Sequence, residues 1–319
     1  MRTAFADALT AAARRDPRLL VLTGDHGYAL FDALRRECPD QYINAGVAEQ
    51  NLVGVAAGLA KAGFRPVVYG LSAFVPVRVL EQIKIDVCYE GLPVLFVGDG
   101  AGVVYGTLGV THQSTEDIAA LRALPNLSIL SPADGPEMAA ALELALATDS
   151  PVYLRIGKAE LGQVHARPPA LSWGRMLPVR RGPGPLVWLA TGSMVVTAVA
   201  AAVDWPGSAV WSVPSIKPLD AQHVAAICRR RVAVVLEEHS VYGGLGSAVA
   251  EATAAHAPVP VCRVGINDRF SASCGSYGHL LREHGLDLAS VRSRVRAFVD
   301  ALPGRVRTRN RKALERTGD

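Results

Sequence analysis

Residues 43–63 read INAGVAEQNLVGVAAGLAKAG: a polar turn around Asn44 and Gly46, one carboxylate at Glu49, then a small-residue run with Gly54, Ala56, Ala57, Gly58 and Ala60. The run predicts a helix too apolar to be exposed. Glu49 stands at its start, flanked by Val47 and Leu52, so its carboxylate is predicted to be buried. Burying it costs several kcal/mol unless something pairs with it. Two readings are open. In one, Glu49 sits in the first turn and is stabilised by the helix dipole. In the other, it is held to protonate or hydrogen-bond a ligand nitrogen.

The 319 residues have room for two domains of ordinary size, each able to bury its own core. Half of the residues are hydrophobic and 19% are charged, as in a soluble, core-rich α/β protein. The net charge of +4 is modest, and part of it comes from the tail after Pro303, so it gives no case for nucleic acid. Cys38, Cys88, Cys228, Cys262 and Cys274 are odd in number, widely spaced and without a CxxC pair. Neither a disulfide framework nor a zinc site is indicated, and the cytoplasm is the expected compartment. The N-terminus MRTAFADALTAAARRDPR lacks the uninterrupted apolar run of a signal peptide. No stretch approaches the roughly 20 apolar residues of a membrane helix.

Residues 3–14 read as an amphipathic helix and Leu19 to Leu22 as a strand ending at Thr23-Gly24-Asp25-His26-Gly27. A strand running straight into a Gly/Asp turn marks the ligand-facing edge of an α/β sheet; Asp25 could equally be a turn cap. Further strands are expected at 64–69, 93–97 and 151–156, with helices over 71–89 and 133–147. Phe74, Val77, Leu80, Ile83, Ile85 and Val87 form the apolar side of the helix expected over 71–89. After the strand at 93–97 come Gly98-Asp99-Gly100 and a glycine-rich loop to Gly109, with His112 just beyond. A histidine on such a loop at a strand's carboxyl end is a good catalytic candidate. Residues 161–184 carry several Pro and Gly and no clear period, as in a linker. A second α/β domain is expected over 185–302, with strands at 186–191, 209–213, 232–237 and 259–264. Its segment EEHSVYGGLGSAVAEATAAH has a glycine turn opening a helix. Such a turn can hold an anion, but it is also what a tight strand-to-helix connection needs, and the dinucleotide fingerprint is incomplete. Residues 303–319 form a basic tail expected to be disordered.

Two stretches carry a family resemblance. Residues 109–130, GVTHQSTEDIAALRALPNLSIL, hold THQ, an acidic pair, a helix with a central Arg and a Pro-Asn turn. Together with residues 43–63 they resemble transketolase, a thiamine diphosphate-dependent enzyme, and the resemblance extends from residue 1 to about 300. It implies a pyrimidine-binding domain over 1–160 and a transketolase C-terminal domain over 185–302, each a mainly parallel sheet flanked by helices. It makes Glu49 the glutamate that hydrogen-bonds the cofactor's aminopyrimidine. Phe74 becomes an aromatic packed against that ring, and Asp25 an aspartate near the cofactor and the subunit interface. His112 falls on the histidine that contacts the donor ketose and moves protons. Arg2 and Lys158 match basic residues set against a sugar phosphate, and the GGLGSAVAE segment belongs to a domain concerned mainly with assembly.

The resemblance also implies what another chain must bring. The domain that binds the diphosphate and its magnesium is missing, and Gly98-Asp99-Gly100 followed by Asn126 only imitates its signature, since Leu127 replaces the second asparagine. No metal ligand is therefore expected here. A separate diphosphate-binding subunit would supply the magnesium site in an α2β2 assembly, and this chain alone would bind cofactor poorly. Leu71 stands where the family has a further aromatic, Ala29 and Gly100 where it has a phosphate-contacting serine and histidine, and Leu108 where an aspartate contacts a donor hydroxyl. Each lost ionic hydrogen bond costs about 1.5 to 3 kcal/mol, so the acceptor is expected to be a specialised, partly apolar metabolite rather than an ordinary sugar phosphate. The expected reaction is transfer of a two-carbon ketol unit from a ketose donor. The alternatives are a β-subunit of a 2-oxo acid dehydrogenase or pyruvate-derived acyl transferase, a non-catalytic subunit, and, with little support, a nicotinamide-dependent dehydrogenase.

Overall fold

Short aliphatic and β-branched runs bounded by Gly, Pro and Asp become strands buried on both faces, as a parallel sheet between two helical layers requires. The computed structural model describes residues 1–157 and 161–303. Its first sheet holds β1 (Leu19–Thr23), β2 (Tyr42–Asn44), β3 (Arg65–Leu71), β4 (Leu95–Asp99), β5 (Ser128–Leu130) and β6 (Val152–Ile156). These six are all parallel, in the order β5-β6-β4-β3-β1-β2. The remaining strands are β7 (Leu177–Arg180), β8 (Leu186–Ala190), β9 (Ala209–Ser212), β10 (Ser215–Lys217), β11 (Val232–Ser240) and β12 (Val261–Ile266). The second sheet runs β12-β11-β8-β9-β7, parallel except for the edge strand β7. The helices are α1 (Arg2–Arg15), α2 (Asp32–Glu37), α3 (Glu49–Lys61), α4 (Leu80–Gln82), α5 (Asp117–Arg122), α6 (Gly135–Leu146), α7 (Met194–Ala201), α8 (Ala221–Cys228), α9 (Leu245–His256), α10 (Tyr277–Glu283) and α11 (Leu288–Ala301).

The two α/β units share a core. Leu52, Val68, Phe96 and Ile118 from the first pack in one cluster with Val187, Leu189, Val235 and Val249 from the second. The chain expected as a linker over 161–184 is a correction: it contains β7, which pairs antiparallel with β9. Pro178 hid this strand, but an edge position tolerates a residue with no N–H to donate. The second half also returns a strand to the first sheet, since β10 pairs antiparallel with β5.

The helix expected over 71–89 is also corrected. β3 runs on to Leu71, paired with Asp99, and Pro76 interrupts the segment after it. Turns lead into the short α4 and then a π-helical turn over Ile83–Cys88. Its core face is Val75, Val79, Ile83 and Val87, all fully buried, while Val77 and Ile85 are exposed. In the second domain the N–H groups of Leu245 and Gly246, at the start of α9, both donate to the buried Glu237 carboxylate at 2.7 and 2.8 Å. The GGLGS turn is thus capped from within, and its donors are not free for an anion. The basic tail lies, from residue 304, outside the described residues.

Several buried ionisable groups sit where the two halves meet. Glu137 on α6 accepts the Ser212 hydroxyl of β9 at 2.9 Å, and burial pushes its pKa up to about 7. Burial does the same to Glu237, also to about 7. Burial opposes protonation of His165, but the hydrogen bond to Asp134 and the charge of Glu137 raise it overall. All three bind protons more tightly folded than unfolded, so the stability they contribute is fully present below the unfolded pKa values and is lost as pH rises through the folded ones. Asp134 works the other way: despite burial, hydrogen bonds from His165 and backbone N–H groups hold it at about 2, and its contribution is lost only in strong acid. The melting temperature should therefore fall as pH is raised from about 5 to about 8. Glu137→Gln should flatten part of that slope, which thermal melts across the range would show.

Candidate active site at the carboxyl edge of the first sheet

Parallel strands finish on one edge, and that topology gathers residues far apart in sequence. Asp25 and His26 come after β1, Glu49 after β2, Phe74 and Arg78 after β3, and the loop carrying His112 after β4. Glu49 is the first residue of α3 and is 6% exposed, so the burial expected from its neighbours holds. Its partner is Arg78, whose Nη1 donates to Oε1 at 2.8 Å. The Arg78 guanidinium also lies 4.1 Å from the centre of the Phe74 ring, within cation–π range. The His112 ring meets Phe74 edge-on at 5.4 Å, and His26 lies 6.1 Å away. Phe74 is therefore the hub of a cluster that joins Glu49, through Arg78, to two imidazoles.

Glycine makes the approach possible. A Cβ on Gly24 would lie 3.2 Å from the Gly46 carbonyl oxygen, 3.8 Å from His26 Nδ1 and 3.9 Å from Glu49 Cγ. His112 is partly exposed, and its Nδ1 shares a 2.9 Å hydrogen bond with the Thr111 hydroxyl. Among the described residues its Nε2 makes no hydrogen bond. Arg78 and His26 were not singled out from the sequence. Arg78 falls four residues after Phe74, a spacing that places two residues on one face of a helical turn. His26 stands inside the TGDHG turn.

Other expected residues lie differently. Asp25 is exposed, accepts the Tyr28 hydroxyl at 2.7 Å and exchanges hydrogen bonds with Asn44. Those bonds, from Tyr28 first, lower its pKa. Asp25 joins the turns after β1 and β2 and does not touch Glu49. Arg2 does not present a bare charge: its Nε lies 3.2 Å from Asp99 Oδ2 and its Nη2 donates to the Tyr69 hydroxyl at 3.3 Å. Asp99 is 1% exposed and also accepts the Tyr69 hydroxyl at 2.9 Å. Its Oδ2 is thus shared between Arg2 and tyrosine, while Asn126 donates to the Cys88 carbonyl, so the two residues have different partners. Leu108 is 53% exposed on the loop. Lys158 lies outside the described residues.

Among the described residues one group has metal-ligand types close together, Asp134, Glu137 and His165. Asp134 Oδ2 already accepts the Val164 and His165 N–H groups, and His165 Nδ1 sits 3.1 Å from Asp134 and 3.3 Å from Glu137. These groups satisfy one another and fasten residues 164–165 to α6.

The transketolase pyrimidine binding domain matches residues 1–163, and the transketolase C-terminal domain matches residues 177–291. The chain is 35% identical over 297 residues to the 6-deoxy-6-sulfo-D-fructose transketolase subunit SqwH of Clostridium sp. (strain MSTE9), covering 91% of this chain and 92% of that one. It is 37% identical over 262 residues to an apulose-4-phosphate transketolase subunit of Actinobacillus succinogenes, covering 80% and 84%. A solved structure described as split gene transketolase, inactive beta4 tetramer, superposes with a TM-score of 0.83 at 32% identity, over 93% of this chain and 96% of that one. The chain belongs to the transketolase family.

Thiamine diphosphate is the cofactor this family implies, and the residues present fit its aminopyrimidine end: a buried carboxylate at Glu49, joined through Arg78 to the aromatic ring of Phe74. Gly100 has a φ of +79°, and a Cβ there would fall 2.0 Å from the Tyr105 ring. Gly100→Ala should therefore cost about 1 to 3 kcal/mol through backbone strain and displacement of Tyr105. Denaturant unfolding would measure it, and an unchanged midpoint would show that the loop yields freely.

Proposed function

We propose that this chain is the pyrimidine-binding subunit of a split transketolase. With a separate diphosphate-binding subunit it would transfer a two-carbon ketol unit from a ketose donor to an acceptor other than an ordinary sugar phosphate. The observation that carries the reading is the convergence of Glu49, by way of Arg78, and His112 on Phe74. Close similarity along nearly the full length of two proteins named as transketolase subunits supports the split arrangement. The magnesium site is assigned to the partner, in an α2β2 assembly. Cytoplasmic location is supported by cysteines that are all unpaired. Among the described residues no helix is long and apolar enough to cross a membrane.

Bound here, thiamine diphosphate would supply the nucleophilic carbon and the electron sink for carbon–carbon cleavage. Glu49 would share a proton with a pyrimidine ring nitrogen in a hydrogen bond, while Arg78 donates to its Oε1. Phe74 would pack against the ring. His112 would take the proton from a donor hydroxyl at Nε2 and return it later, as general acid–base catalysis requires. Leu108, exposed on the same loop, would offer an apolar side chain where the family has an aspartate. The similarity to subunits named for a sulfonated fructose and for apulose 4-phosphate supports an uncommon sugar substrate, and the Arg2–Asp99 pair supports weak recognition of a simple phosphate.

A pyruvate-derived acyl transfer is the second reading. It is favoured by 36% identity over 307 residues to 1-deoxy-D-xylulose-5-phosphate synthase of Thermus thermophilus, of which the chain spans 48%. Ferricyanide-coupled oxidation follows donor cleavage without an acceptor and separates the two. Turnover is expected with hydroxypyruvate, and only when the diphosphate-binding subunit is present. Glu49→Ala or His112→Ala should lower it about 10²- to 10⁴-fold. Turnover with pyruvate instead would move the chain to acyl transfer, and undiminished activity in Glu49→Ala would remove the assigned role of Glu49.

A further inference from the structure

The loop that carries His112 is closed at its base by Gly102 and Ser114, whose N–H and C=O groups pair at 2.8 and 2.9 Å. The second domain holds it at several points. The Val103 side chain is fully buried in that domain's core, in one cluster with Leu236 and Leu280. The Val103 N–H donates to Glu238 Oε1 at 2.8 Å. Glu238, 4% exposed, also accepts the Tyr277 hydroxyl at 2.7 Å and the Ser193 hydroxyl at 3.0 Å. The Gly275 N–H donates to the Gly106 carbonyl at 3.0 Å, and a Cβ on Gly106 would lie 2.6 Å from the Gly275 oxygen. A Cβ on Gly109 would lie 2.9 Å from Cys274 Sγ. At the far end the Ser271 hydroxyl donates at 2.7 Å to Oε1 of Gln113, the residue after His112.

We infer that the second domain is a clamp for the catalytic loop, with Glu238, Tyr277 and Ser271 as positioning residues for His112. A carboxylate buried among three donors is an acceptor fixed in place, and it reaches the loop at Val103, the residue just after the Gly102–Ser114 bridge. Ser271 fixes the other end, one residue past the imidazole. Between them Gly106 and Gly109 run so close to residues 274–275 that the loop has little room to swing. The family's C-terminal domain was expected mainly to assemble subunits. Here it also sets the geometry of a group 126 residues earlier in the chain than Glu238. Misplacing a catalytic group by about 1 Å can cost about 10²-fold, so a loosened clamp is read directly in turnover.

The inference rests on the transketolase reading only for what His112 does. Hydrogen exchange of the backbone amides of residues 103–112 in the full chain tests the clamp itself. Exchange should quicken in Tyr277→Phe and Ser271→Ala, and Glu238→Gln should stay closer to wild type than Glu238→Leu, since the Ser193 and Tyr277 hydroxyls can turn to accept from an amide. Unchanged exchange in Tyr277→Phe and Ser271→Ala would overturn the clamp. In the complex with the diphosphate-binding subunit, both variants should lower kcat with hydroxypyruvate by about tenfold and leave thiamine diphosphate affinity unchanged. The loss should vanish in a His112→Ala background. An equal loss with and without His112 would overturn the positioning role. No turnover by the wild-type complex would instead refute the catalytic reading and leave the exchange result to judge the clamp.

Discussion

Asp117 and Arg155 meet at 2.8 Å where neither side chain sees water, 0% and 5% exposed. Removing either partner of such a pair strands the other's charge, at a cost of about 3 to 5 kcal/mol. The rest of the site hangs on it because Arg155 has donors to spare. Its Nη2 reaches the Ser114 carbonyl at 3.2 Å, at the base of the His112 loop, and the Glu238 carbonyl at 2.9 Å in the second domain. The Tyr153 hydroxyl donates to the same Asp117 oxygen at 2.8 Å. Beside them His239 is fully buried, and burial drives its pKa down to about 4, so its ring stays neutral. Its Nδ1 donates to the Ser240 carbonyl and its Nε2 accepts the Ala119 N–H, which joins the start of α5 to the end of β11. One ion pair thus fixes loop, first sheet and second sheet together.

That origin explains why the signature in residues 109–130 was legible while its purpose was not. THQ was read for its histidine. The residues after it are the brace: Asp117 is half of the buried pair, and Arg122 reaches across to the Gly243 carbonyl and to Glu251 on α9. A sequence displays residue types and spacing, so Glu49 at the head of an apolar helix declared its own burial. It does not display partners supplied by distant strands. Arg78 as the cation for Glu49, His26 beside Phe74 and the capture of the GGLGS turn by Glu237 all depend on contacts made after the sheets form.

The errors along the chain have the same cause. Over 71–89 the apolar residues suggested one helix, but β3 runs on to Leu71 and Pro76 interrupts the segment, and the buried set is Val75, Val79, Ile83 and Val87. Over 161–184 the proline and glycine content suggested a free linker. The segment is instead tied at both ends of its described part, by backbone N–H bonds from Val164 and His165 to Asp134 and by β7 pairing with β9. Composition reports how easily a chain bends, and tertiary hydrogen bonds decide whether it stays bent.

The same priority of tertiary contacts sets what Arg2 can offer a ligand. Read alone, Arg2 is a cation waiting for phosphate. In the folded chain it already faces a carboxylate that is 1% exposed, with the Tyr69 hydroxyl between them. A phosphate drawing Arg2 away would leave Asp99 buried with tyrosine hydroxyls alone, and stranding a buried charge costs several kcal/mol. The gain from one new ionic hydrogen bond, about 1.5 to 3 kcal/mol, does not cover that. A ligand can still use the outward face of the guanidinium without breaking the pair, because Arg2 remains about one-third exposed at 32%. Asp99 therefore turns Arg2 from a free cation into an oriented donor whose charge is already paired.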